Sequence, residues 1–249
     1  MKPRRIFLSL ASLALLLPLT SLFAGDPLPA SRLNVLLIIS DDLRDTVGCY
    51  GNAAVKTPNI DRLAARGVRF ARAYVQYPVC NPSRTSFLTG LRCEQTGVTD
   101  NNTFFRARLP DIVTLPQLLR EHGWHAAAYG KIFHLGGGRD EAARARWMDL
   151  PKSWDEARTF KAIPQGRVIE GRNLTGGKLK WCEWGATAGT DYDQPDGQNA
   201  LHAIAAIKRQ TAAGKPWIIG AGFHRPHDPF ISPKKYFDLY PPGSLKLHH

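Results

Sequence analysis

The chain has 249 residues, 43% hydrophobic and 22% charged, with 22 Gly and 18 Pro. That balance excludes collagen-like, coiled-coil and disordered chains and leaves room for a large core in one or two domains. Lys and Arg number 33 against 21 Asp and Glu, a net +12 that favours anionic partners. Yet no run of five or six basic residues and no zinc-finger or RNA-binding motif points to nucleic acid. Four cysteines without a C-x-x-C pair are too few for a disulfide scaffold and offer no paired zinc site.

Lys2, Arg4 and Arg5 precede an apolar run from Ile6 to Ala24, and Leu22-Phe23-Ala24 stands before Gly25. A basic start, a leucine-rich centre and a small residue at the cut read as a secretory signal peptide over 1–24. The expectation is a secreted or periplasmic protein with no stable membrane insertion after cleavage. An uncleaved anchor is the competing reading, since ~20 apolar residues span a bilayer. Residues 25–32 read as a linker.

Asn34 to Ile39 is a continuous apolar, β-branched run, expected to form a central strand buried on both faces. Thr57 and Pro58 open a helix with Ile60, Leu63 and Ala64 on its apolar face, and Gly67 stops it. Val68 to Tyr74 is strand-like. Thr114 caps a helix over Leu115 to Glu121 with Leu115, Leu118 and Leu119 as the expected buried stripe, and Trp124 to Tyr129 follows as a strand. Residues 136–196 lack periodicity and read as an irregular insertion. A helix near 198–212 carries Leu201, Ile204, Ala205 and Ile207, followed by a strand at Trp217–Gly220 and a short helix opened by Ser232-Pro233. Strands alternating with amphipathic helices predict an α/β fold with a largely parallel sheet. Ligands in such sheets gather beyond the carboxyl ends of the strands.

Polar residues stand where a plain core does not need them. Asp41 and Asp42 close the first strand, and adjacent carboxylates repel unless a cation or donors neutralise them. Oxygen ligands of this kind suit Ca²⁺ or Mg²⁺, though solvated turn residues are the simpler reading of the pair alone. Cys80-Asn81-Pro82-Ser83-Arg84 places a cysteine near a helix N-terminus, with Arg84 nearly one turn on.

The C-x-P-S-R string, followed by Leu88-Thr89-Gly90, resembles the activation motif of the type I, formylglycine-dependent sulfatases. Similar blocks are Ser40-Asp41-Asp42, Gly48-Cys49-Tyr50-Gly51, Thr57-Pro58-Asn59-Ile60-Asp61, Gly130-Lys131-Ile132-Phe133-His134 and Phe223-His224-Arg225-Pro226-His227-Asp228-Pro229. The last two are most similar to the iduronate-2-sulfatase branch. The resemblance implies an alkaline-phosphatase-like sulfatase fold and hydrolysis of a sulfated sugar or glycan. It implies conversion of Cys80 to formylglycine by a formylglycine-generating or anaerobic sulfatase-maturating enzyme. Asp41, Asp42 and residue 80 would hold Ca²⁺, with Mg²⁺ as the alternative. Arg84 would stabilise the aldehyde hydrate, Lys131 would offset sulfuryl charge, His134 would take a proton from the hydrate, and His227 would protonate the leaving alcohol. His224 reads as supporting, and Cys49, Cys93 and Cys182 as unpaired thiols, with a disulfide between two of them as the competing reading, because spacing does not fix distance.

The family carries a second metal motif further along, and nothing after His227 matches it. The expectation is the N-terminal portion of a sulfatase catalytic domain over 33–249, truncated at its C-terminal side, with an exposed sheet edge and low or no activity alone. Two other functions fit the same residues. One is a phosphonate or phosphate monoester hydrolase of the same superfamily; the other is a non-catalytic module that holds acidic glycans.

Overall fold

The computed structural model describes residues 32–136, 140–179, 181–241 and 243–245. Asn34 opens the second of two compact units; the first lies almost wholly outside the described residues, and the expected signal peptide with it. Among the described residues no helix is long and apolar enough to cross a membrane.

Four parallel strands form the main sheet: β1 (Val35–Ser40), β2 (His125–Gly130), β3 (Glu156–Arg158) and β6 (Trp217–Phe223), in the order β1-β6-β2-β3. β4 (Val168–Asn173) and β5 (Glu183–Thr187) pair antiparallel, and β7 (Phe230–Pro233) adds to β5 in parallel as a second, three-stranded sheet. The helices are α1 (Pro58–Ala64), α2 (Cys80–Thr89), α3 (Cys93–Thr96), α4 (Phe105–Arg108), α5 (Leu115–Glu121), α6 (Glu141–Trp147), α7 (Pro195–Ala212) and α8 (Lys234–Phe237).

Apolar residues cover both faces of the main sheet. On one face Ala126, Ala128 and Ile218 pack with Leu88, Val98, Phe105, Ile132, Phe133 and Trp154. On the other, Ala127, Tyr129, Ile219 and Ala221 pack with Ala203 and Ala206 of α7. Small residues at 127 and 221 of the sheet and at 203 and 206 of α7 let that helix lie close. Two glycines then bring the strand ends together. A Cβ on Gly130 (φ +84°) would stand 2.1 Å from the Gly222 carbonyl oxygen and 2.3 Å from Asn199 Nδ2. One on Gly222 would stand 2.3 Å from the Lys131 backbone.

Several expectations are corrected. β1 is an edge strand with alternating burial, leaving Leu36 45% and Ile38 53% exposed, so it is not buried on both faces. α7 covers β6 and β2 but stops short of β1. Residues 68–74 form no strand, because no neighbour supplies their ladder hydrogen bonds; Val68, Phe70 and Tyr74 are 85%, 70% and 84% exposed. α1 has no buried residue, and Ile60 and Leu63 face outward. In α5, Thr114 accepts a hydrogen bond from the Gln117 N–H as a cap should, but Leu115 and Leu118 are exposed while Pro116 is buried. The buried stripe of α7 is Asn199, Ala203, Ala206 and Gln210, whereas Leu201 and Ile204 are exposed. Residues 136–196 are not irregular: they hold α6, β3 of the main sheet and the β4–β5 hairpin. All four cysteines are free thiols.

Candidate active site

Three strand ends and one helix start meet at a single point. β1 ends in Asp41 and Asp42, β2 runs into Lys131 and His134, and β6 runs into the turn that carries His224 to Asp228. The Asp41 N–H donates to the Phe223 carbonyl at 3.0 Å and the Lys131 N–H to the Gly222 carbonyl at 3.0 Å, so the ladder fixes both side chains relative to β6. Cys80 is the first residue of α2, where free backbone N–H groups favour negative charge.

Asp41 is the hub. It is buried and accepts from Arg84 Nη2 at 2.7 Å through Oδ1, and from Lys131 Nζ through Oδ2. Burial alone would push its carboxyl up, but Arg84 and Lys131 outweigh that and hold it below the ordinary 3.8. Arg84 also donates from Nη1 to the Ile132 carbonyl at 2.8 Å and to that of Lys131. Cys80 Sγ stands 3.8 Å from Asp41 Oδ2. Burial raises the thiol's pKa and the Asp41 and Asp42 charges add to this, against the opposing pull of Lys131 and Arg84. The thiol is therefore protonated at neutral pH and a poor nucleophile as it stands.

His227 is fixed through Nδ1, which lies 2.7 Å from Asp228 Oδ1 and 2.6 Å from the Asp228 carbonyl oxygen. Those acceptors place the proton on Nδ1 and leave Nε2 open, 3.8 Å from Asp42 Oδ2. His134 lies in a drier place. Its Nδ1 is buried without a hydrogen-bond partner in the protein, and its ring meets Trp147 edge to face at 5.9 Å. Burial, then the Lys131 and Arg84 charges, lower its pKa from 6.5 to about 4. At neutral pH it is an uncharged base.

Ligand-type atoms of Asp41, Cys80 and His227 lie within 4.8 Å of one another. The structure thus brings six of the seven sequence-predicted residues together about Asp41: Cys80, Arg84, Lys131, His134 and His227 with Asp41 itself. Asp42 stands apart from the three-donor group; its backbone adopts φ 58° and its side chain is exposed beside His227. An aspartate tolerates that left-handed conformation better than most residues.

Sequence reading missed the supports beneath these groups. Asp196, in the first turn of α7, accepts from the backbone N–H groups of His224 at 2.8 Å and Arg225 at 2.9 Å, with His224 Nδ1 at 3.3 Å. It anchors the start of the 224–228 turn, and nothing near it in sequence announces this. Asp228 does sit beside His227 in the chain, which was the available signal for its role.

The sequence matches the sulfatase family model over residues 33–245. It is 35% identical over 218 residues to the iduronate 2-sulfatase of Mus musculus, covering 86% of this chain and 39% of that one. A sulfatase of Formosa agariphila is 34% identical over 232 residues, covering 86% and 43%. The solved phosphonate monoester hydrolase of Agrobacterium radiobacter superposes with a TM-score of 0.63 at 25% identity, covering 84% of this chain and 44% of that one. The chain spans about two fifths of the length of the curated relatives it matches. A match that begins two residues before β1 and reaches past α8, across the strand ends that gather around Asp41, places the chain in the sulfatase family.

Proposed function

We propose that the chain serves hydrolysis of sulfate esters on a sulfated sugar or glycan, with residue 80 in formylglycine form as the nucleophilic position. The observation that supports it best is the convergence of Arg84 and Lys131 on the carboxylate that also faces Cys80. A protonated, half-buried thiol flanked by two carboxylates has little use as a thiolate. The same position, carrying oxygen in place of sulfur, suits attack on sulfur.

The donors fit a hard divalent cation. Asp41 keeps lone pairs beyond the two it shares with Arg84 and Lys131, and Asp42 and residue 80 add oxygen ligands. When bound, that cation would lower the pKa of oxygen at residue 80 and offset charge on the ester. The chain's own residues do the rest. Lys131 and Arg84 are cations already desolvated, so their pull on an anionic ester is strong. His134, neutral at pH 7, accepts a proton. His227, its Nδ1 proton held by Asp228, presents Nε2 toward the leaving oxygen. The name of the mouse relative suggests a 2-O-sulfated uronic acid as one substrate class. The basic, apolar start of the sequence supports export.

The test is co-expression with a formylglycine-generating or anaerobic maturating enzyme. Peptide mass at residue 80 and sulfate release from a sulfated against a phosphorylated chromogenic ester are then measured. Conversion at residue 80 and preference for the sulfate ester are expected; residue 80 unconverted in a competent host, or faster phosphate release, overturns the reading. Turnover well below that of a full-length relative is expected, because Asp41, Asp42 and residue 80 together fall short of the 6–8 ligands calcium takes.

A further inference from the structure

We propose that the encoded thiol form of the chain holds a zinc-type divalent ion between Cys80 Sγ, His227 Nε2 and Asp41 Oδ2. The inference uses Cys80 as it stands in the sequence, so it depends neither on conversion of that residue nor on the sulfatase reading. Ligand-type atoms of these three side chains lie within 4.8 Å of one another. In a tetrahedral zinc site, bonds of about 2.0–2.3 Å set neighbouring donors about 3.3–3.8 Å apart. Cys80 Sγ and Asp41 Oδ2 are already 3.8 Å apart, so small side-chain rotations close the set. Hard cations take oxygen ligands, whereas thiolate and imidazole together select zinc or cobalt.

The surroundings prepare each donor. Asp228 Oδ1 takes the Nδ1 proton of His227 at 2.7 Å, the outer partner that metal-binding histidines ordinarily have, and leaves the Nε2 lone pair free. Cys80 opens the ten-residue α2, whose first N–H groups favour a thiolate. Asp41 Oδ2 accepts from Lys131 yet keeps a second lone pair. Without a metal the thiol holds its proton. On coordination the S–H bond breaks, the sulfur–metal bond forms and the proton leaves to the buffer. Lys131 and Arg84 oppose a further cation here, while the Asp42 carboxylate, 3.8 Å from His227 Nε2, favours it. Three protein donors leave the fourth zinc position to water. The ion therefore caps the thiol. Replacing that sulfur by oxygen removes the thiophilic ligand and turns the same place toward hard cations.

The experiment uses the full chain made in a host without a maturating enzyme, with peptide mass confirming cysteine at residue 80. Co²⁺ alone is titrated, and thiolate-to-cobalt charge transfer is read in the near ultraviolet; Zn²⁺ and Ca²⁺ then compete for the site. One thiolate-bound Co²⁺ per chain is expected, displaced by Zn²⁺ at least a hundredfold more effectively than by Ca²⁺. Cys80→Ser should abolish the charge-transfer band and His227→Gln should weaken Co²⁺ affinity at least tenfold. Cys49→Ser/Cys182→Ser, which removes two other thiols, should leave both within threefold. Circular dichroism checks that each variant folds. In the unsubstituted chain, alkylation of Cys80 by iodoacetamide, followed by peptide mass, should slow at least tenfold with Zn²⁺ and not with Ca²⁺. A band that survives Cys80→Ser, an affinity that His227→Gln leaves within threefold, or equal alkylation with and without Zn²⁺ would each overturn the proposal.

Discussion

Asp41 neutralises two buried cations with one carboxylate, so replacing it by Asn leaves Arg84 and Lys131 uncompensated inside the protein. Breaking a buried pair in this way costs about 3–5 kcal/mol, and thermal unfolding of Asp41→Asn at pH 7 is expected to show it. Because the folded carboxyl titrates below 3.8, its stabilisation is complete above that pH and drains away as pH falls through the folded value. The gap between wild type and Asp41→Asn should therefore narrow in acid; a constant gap down to pH 2 would contradict the pairing. His134 titrates near 4 when folded against 6.5 for a free imidazole. The unfolded chain thus takes up a proton that the folded one refuses, and stability falls as pH drops from 6.5 towards 4. His134→Gln is expected to flatten that part of the stability profile, read by denaturant midpoints across the window. Of the residues themselves, Cys80, Arg84 and Lys131 were legible because short motifs name them. Asp196 was not, since its partners lie 28 and 29 positions away.

At the level of strands and helices, the periodicity located most elements but often assigned the wrong face. α7 shows why. Its large apolar residues, Leu201 and Ile204, point outward, while the alanines that fit beneath the sheet's small residues point in. Hydrophobic patterning scores size, whereas close helix–sheet approach selects smallness. The stretch at 68–74 has strand composition but no partner to pair with, so propensity alone could not form it. β1 separates the two effects in one experiment. Ile218 of β6 is fully buried in the core, and Ile218→Ala should cost about 2–5 kcal/mol. Leu36→Thr, on the open face of β1, should change stability by less than about 1 kcal/mol. It should also reduce self-association seen in sedimentation, since an apolar edge strand invites edge-to-edge pairing.

Across the whole molecule, the parallel sheet and the point where Asp41, Cys80, Lys131 and His227 gather were legible because strand-end polar motifs occur in order along the chain. The second sheet was not, since β4 and β5 mix polar residues and glycine among few apolar ones, without a clear alternation, and pair only with each other and β7. Asp41 and Asp42 after β1, with residue 80 at the start of α2, make a sparse cage for a divalent ion. Calorimetric titration with Ca²⁺ is expected to give a dissociation constant of about 1 mM or weaker, and a micromolar value would show that the residues described here already complete the site.

Gly130 and Gly222 carry no side chain, yet they decide where Lys131 stands. Strand β2 can hand its lysine to Asp41 only because the carbonyl of Gly222 occupies the room that a methyl at 130 would need, and the Lys131 main chain fills the corresponding space at 222. A single added carbon at either glycine would prise the two strand tips apart and draw the ammonium off its carboxylate. Inherited or engineered alanines there would then mimic loss of the lysine while every charged residue remained in the sequence.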